Sequence, residues 1–211
     1  MDPLPLADEV FLIGHDENSG KPHISDDGLD TVLAGAVLGE LLFLGLIALT
    51  EDTVVVPYSD APTGDAVCDS ALIEINKQVD RYPVRAWIEH LRGDIRPMVA
   101  NRLIRLNLVE RVEARGLLRT SIRYPFRDRV AAAAPIARLR YMLDHPELLD
   151  DHSAALVALL LAGNLEFVFG GASAREVRQS LVRMAQRCHP QVRLLVAGVE
   201  SAVAALAMRA R

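Results

Sequence analysis

The residues in this chain whose type and spacing suggest chemistry are arginines. Between Arg92 and Arg140, twelve arginines stand against four acids, Asp94, Glu110, Glu113 and Asp128. That is a local excess of eight positive charges in a chain whose net charge is −5. Such asymmetry makes one region attractive to anions while the acidic remainder keeps the molecule dispersed. Within the segment, Arg102 and Arg105 are three residues apart on an expected helix, a spacing that can bring two guanidiniums together on one phosphate. Further on, Ile122, Tyr124 and Phe126 alternate with Ser121, Arg123 and Arg127 in a period of two, the pattern of a hairpin arm. Interfacial side chains set among arginines suit a membrane surface, but an edge hairpin packed on the core or a contact between copies of the chain fits the pattern equally well.

Signatures of catalysis are poor. There is no glycine loop with a phosphate-binding lysine, no nucleophile elbow, and no paired Cys or His at metal spacing. Asp150, Asp151 and His152 read as the acidic entry to a helix rather than a metal cluster. Cys188, between Arg187 and His189, reads as an ordinary thiol. The expectation is a binding protein with no cofactor and no metal. Two cysteines, Cys68 and Cys188, are too few for a disulfide framework and suit a reducing, cytoplasmic compartment. Lys21 and Lys77 are the only lysines, a bias that points to a GC-rich bacterial gene.

The elements that must position these groups are mainly helical. Half of the 211 residues are hydrophobic, with few aromatics, so Leu, Val and Ala must do the packing. Val10–Ile13 reads as a short strand. Ser25, Asp26 and Asp27 cap a helix running to Leu44 and ending at Gly45. Its Val32–Leu49 stretch reaches the lower limit of membrane-spanning length, but Glu40 in its middle and acidic flanks argue for a core helix. Glu40 is therefore expected to be buried with a partner, an arginine or a backbone donor. Residues 47–56 form a hairpin around Thr50-Glu51-Asp52. The Asp60–Asp65 loop caps a helix from Ala66. Pro83 opens another, closed by Gly93, and Pro97 starts a third, running to Val109. Four further helices follow: Ile136–Leu143, Ser153–Leu165, Ala174–Gln186 and Val192–Ala210. The fold class expected is mainly α: one compact helical domain over residues 1–211, with a protruding β-hairpin and a short N-terminal strand or hairpin.

Asp60-Ala-Pro-Thr-Gly-Asp65, followed by Cys68-Asp69-Ser70-Ala71-Leu72, resembles the hallmark of the Golgi phosphoprotein 3 family, which occurs in yeast, animals and actinobacteria. Trp87-Ile88-Glu89-His90-Leu91 is similar to that family's Trp-Ile-Glu-Leu-Leu. Leu33-Ala34-Gly35 through Glu40-Leu41 resembles its first long helix, and Leu108–Leu118 its step into a β-hairpin. The resemblance implies a peripheral membrane protein that binds phosphatidylinositol 4-phosphate-like headgroups and acts as an adaptor for cytosolic tails of membrane proteins. The family's headgroup pocket uses a tryptophan, a first-helix arginine and two arginines one turn apart. Arg102 and Arg105 match the last two, whereas Ser25 and Ala34 stand at the first two. The resemblance thus implies Arg102 and Arg105 as ligand-binding residues, with Ile122, Arg123, Tyr124, Phe126 and Arg127 on a membrane-contacting hairpin that could also join copies of the chain. A nucleic-acid reading competes, because phosphate attraction does not separate lipid from duplex. The first long helix is too apolar to leave a recognition face, so no nucleic-acid partner is expected.

Overall fold

The computed structural model describes residues 3–51, 53–55, 62–78, 80–115, 120–170 and 174–209. The expected Gly116–Leu118 step, Arg119, and Asp60 and Ala61 of the loop lie outside the described residues. Eight α-helices and two antiparallel hairpins are seen among them. The fold is mainly α.

The central element is α2 (Asp26–Phe43). Ser25 Oγ accepts the Gly28 N–H at 3.2 Å, and Asp26 and Asp27 complement the dipole in the first turn. Gly45, at φ +68°, follows its end, a conformation that glycine adopts without strain. Leu29, Val32, Leu33, Val37, Leu38 and Leu41 are wholly buried. A helix that is apolar all round belongs in a core, and the run is accordingly interior from Val32 to Leu41, with Phe43 and Leu44 exposed beyond it. Gly35 lets α8 (Pro190–Arg209) approach closely: a Cβ there would lie 2.4 Å from Val199 Cγ2. By length and composition α8 is itself apolar enough to cross a membrane, yet it packs on α2.

α1 (Leu6–Gly14) replaces the strand expected at Val10–Ile13. All nine of its residues are buried. A short apolar run without alternation does not distinguish a buried strand from a buried helix. Here Asp8 and Glu9 supply first-turn acids, and Glu40 Oε1 of α2 accepts the Ala7 N–H at 2.7 Å.

α3 (Ala66–Asn76) begins where expected, with Asp65 Oδ1 accepting the N–H groups of Val67 and Cys68. α4 (Val84–Arg105) is one helix where two were expected, running through both Gly93 and Pro97. Proline withholds an N–H from the carbonyl four residues back. That carbonyl belongs to Gly93, which is exposed, so water can satisfy it and the helix survives.

β1 (Ala48–Thr50) and β2 (Thr53–Val55) form the first expected hairpin, with Leu49 opposite Val54. β3 (Val112–Arg115) and β4 (Thr120–Arg123) form the second, with Val112 opposite Arg123. The regular ladder ends at Arg123, and Phe126 then bridges Val109 in the same register. The other edge of this stretch is held by the N-terminal loop: the Tyr124 N–H donates to Gly20 O at 3.0 Å and the Phe126 N–H to Glu17 O at 2.9 Å. Asp128 then caps α5 (Arg129–Asp144), which starts seven residues earlier than the sequence suggested. α6 (Asp151–Ala162), α7 (Ala174–Ala185) and α8 complete the molecule close to their expected places.

Candidate functional site

The last turn of α4 carries both candidate arginines, and the structure turns them opposite ways. Arg102 is 11% exposed and faces inward. Its Nε donates to Asp8 Oδ1 of α1 at 2.8 Å, its Nη1 to Asp65 at the start of α3, and its Nη2 lies 3.7 Å from Glu40 Oε1 of α2. Arg105 is exposed, and its Nε donates to the Asn101 carbonyl at 3.3 Å. The expected shared face is therefore corrected: one guanidinium is engaged by carboxylates and the other meets solvent. Arg102 follows Val99 by three residues and Ile95 by seven, both buried, so it lies on the apolar stripe of α4.

The pocket around Arg102 is a buried charge cluster. Glu40 is 8% exposed, as its apolar neighbours implied, and has both partners expected of it, a backbone N–H and an arginine. The Cys68 thiol donates to its other oxygen at 3.1 Å. Burial lifts the Asp8 carboxyl to about 7, outweighing the Arg102 charge that lowers it. Burial likewise raises Glu40. Burial also works to raise Asp65, but the Cys68 N–H and the Arg102 guanidinium outweigh it and hold that carboxyl below its ordinary value. Burial, with the Glu40 carboxyl beside it, pushes the Cys68 thiol far up and disfavours its thiolate. Glu40, Asp65 and Cys68 offer ligand atoms within 4.8 Å of one another, but the Arg102 guanidinium already stands among them as the cation. The chemistry of the cluster is to tie α1, α2, α3 and α4 together.

A second buried group adjoins it, unforeseen in the sequence. Glu9, 1% exposed, accepts two bonds from Arg138 of α5 at 2.8 and 2.6 Å and lies 3.1 Å from His152 Nε2 of α6. Asp150 caps α6 through the Ser153 N–H, as the sequence implied. The only advance signal for this group was a pair of acids, Asp8-Glu9, heading an apolar run.

The hairpin residues also divide. Tyr124 is only 7% exposed and meets Phe11 edge-on with ring centroids 5.3 Å apart. Phe126 is half-buried against the core. Tyr124 is thus corrected from surface to interior and Phe126 to half-buried, because this part of the chain is held against the Glu17–Gly20 loop and α1 rather than standing free. Ile122 remains 48% exposed, Arg123 is half-buried and Arg127 exposed.

Of the family's four pocket positions, Ser25 is the cap of α2 and Ala34 is wholly buried in the core. A family model for Golgi phosphoprotein 3 (GPP34) matches residues 6–206. The chain belongs to the Golgi phosphoprotein 3 family. In this member the end of α4 and the base of the hairpin meet: Arg127 N donates to Leu108 O at 2.9 Å, and Val109 bridges to Phe126. Around that junction Leu106 is 52% and Val130 87% exposed, beside the exposed Arg105, Arg127 and Arg129. No carboxylate pairs with these three arginines among the described residues.

Proposed function

We propose that this Golgi phosphoprotein 3 family member is a peripheral membrane protein, without catalytic activity, that docks on anionic phospholipid through the α4–hairpin junction. The observation that carries the reading is the interleaving there of exposed apolar side chains, Leu106, Ile122 and Val130, with Arg105, Arg127 and Arg129, which lack acidic partners among the described residues. Apolar groups enter the headgroup boundary, and each arginine near an anionic surface contributes about 1 kcal/mol. Arg105 is the member of the α4 pair that meets phosphate. Arg102 is a positioning residue that fixes the end of α4 through Asp8 and Asp65. Arg123 and Arg127 extend the basic surface onto the hairpin.

Family membership supports lipid and protein interactions of this kind; a phosphoinositide-like headgroup, the cytosolic tails of membrane proteins as partners and a cytoplasmic, membrane-peripheral location complete the proposal. Self-association through the hairpin is a further role for the same surface. The test is flotation of the full chain with vesicles of phosphatidylcholine alone, with phosphatidylglycerol added, and with phosphatidylinositol 4-phosphate added. Flotation with the anionic vesicles only supports the reading, and equal recovery on all three contradicts it. A duplex-DNA shift at matched salt, stronger than vesicle binding, would favour nucleic acid instead.

A further inference from the structure

Three aromatic rings meet near the start of α4, outside both buried charge clusters. Tyr82 closes the extended segment before the helix; its carbonyl accepts the Val54 N–H of β2 at 3.1 Å, and Pro83 beside it bridges Thr53. Trp87 and His90 stand three residues apart on α4, a spacing that makes them neighbours on one helix face. Trp87 is buried at 4% exposed, while Tyr82 and His90 reach solvent. The third ring is this chain's own, since the family motif has leucine where His90 stands.

The rings are set nearly at right angles. Tyr82 and Trp87 have centroids 6.1 Å apart and planes at 87°, and Trp87 and His90 are 5.8 Å apart at 77°. Glu74 Oε2 of α3 lies 3.5 Å from His90 Nε2, so that ring is braced from a second helix. With Gln78 and Ala86, the three rings line one cavity of about 260 Å³. That is just below the roughly 300–1,000 Å³ of drug-sized sites and suits a compact head group.

None of the five lining residues is an Asp, Glu, Lys or Arg. Such a cavity offers no ion-pair partner that would draw a strongly hydrated ammonium or an anion out of water. Aromatic faces do attract a cation whose charge is spread over methyl groups. A proline-rich segment also docks on aromatic rings, but in an extended groove, whereas these rings surround a single cavity. We propose that this cavity binds a quaternary ammonium head, seated among Tyr82, Trp87 and His90. The head belongs to a free trimethylammonium solute or to a choline lipid. The site lies about 27 Å from Arg105 along α4, at about 1.5 Å per residue, uses none of the junction residues and goes beyond the docking reading.

Trp87 is the only tryptophan in the chain, so its fluorescence reports on the cavity directly. The experiment is fluorescence titration of the full chain with choline and, separately, with monomeric dihexanoyl phosphatidylcholine. The neutral carbon isostere of choline and methylammonium are the controls. A saturable change in emission is expected with choline, and both controls should bind about tenfold more weakly, one for want of charge and the other because its charge is tightly hydrated. The tighter of choline and the lipid identifies the source of the head. Tyr82→Leu should weaken binding about fivefold and Tyr82→Phe should leave it as it was, both with unchanged circular dichroism. Arg105→Gln should weaken vesicle attachment and leave choline affinity untouched, which separates failure of this site from failure of the docking surface. No saturable response to either ligand, equal affinity for choline and its neutral isostere, or undiminished affinity in Tyr82→Leu would overturn the proposal. Tighter binding of a proline-rich peptide than of choline would overturn it in favour of a peptide groove.

Discussion

Arg102 and Arg105 differ by three positions in sequence and by their whole chemistry in the fold. Arg102 balances three buried or half-buried carboxylates, so removing it leaves uncompensated charge in the interior. Arg102→Ala should lower unfolding free energy by about 3–5 kcal/mol, whereas Arg105→Ala should stay within about 0.5 kcal/mol; urea denaturation of both variants checks the contrast. The same cluster couples folding to protons. Native Asp8 holds its proton up to about 7 and native Asp30 up to about 6, both through burial, while the unfolded chain releases these protons near its ordinary carboxylate values. Their contribution to stability is therefore present at low pH and lost as pH rises through that window. His15 acts oppositely: burial holds its ring down to about 4, so below its ordinary value of 6.5 the unfolded chain takes up a proton that the native one refuses. Between about pH 4.5 and 6.5 these slopes oppose each other, and Asp8→Asn should tilt the balance so that stability rises more steeply with pH. An unchanged slope in urea titrations of that variant would place the proton elsewhere. The burial of Glu40 was legible from its apolar neighbours. The inward turn of Arg102 was legible too, from its register with Ile95 and Val99, but spacing to Arg105 alone does not say which of the two faces the core.

At the scale of elements, capping chemistry was the most readable feature. Ser25, Asp65 and Asp150 accept helix N–H groups as read, because a short polar side chain before an apolar run has few better uses, whereas the Asp128 cap of α5 was missed. What misled was punctuation. Gly93 and Pro97 read as a stop and a start, and the stretch from Arg129 to Pro135 was not read as helix. In each case tertiary packing outweighed local preference. Gly93 lies in the interior of α4 with nothing within 4 Å of a Cβ placed on it. Gly93→Ala should therefore stabilise by about 0.5–1 kcal/mol through backbone entropy. Gly35→Ala should do the opposite by about 1–3 kcal/mol, because the added methyl meets Val199 across the α2–α8 contact. Thermal unfolding of the two variants gives shifts of opposite sign if α4 is continuous and α8 packs tightly on α2.

For the whole molecule, the charge asymmetry visible in the sequence divides in three dimensions between two uses. Some of the basic segment is internal cement: Arg96, Arg102 and Arg138 bind carboxylates of α1, α2 and the start of α3. Arg105, Arg127 and Arg129, at the α4–hairpin junction, face outward without acidic partners among the described residues, and these are the charges the docking reading offers a membrane. Composition located the segment but could not apportion it, since partners such as Asp8 and Glu9 lie roughly a hundred residues away in sequence. The most direct test of the docking account is the salt dependence of binding to phosphatidylglycerol vesicles for the native chain and for Arg105→Gln/Arg127→Gln/Arg129→Gln. Three charges near the surface correspond to about 3 kcal/mol, so the triple variant should bind roughly a hundredfold more weakly and with a shallower salt slope. Equal affinity and equal slope in the two proteins would contradict it.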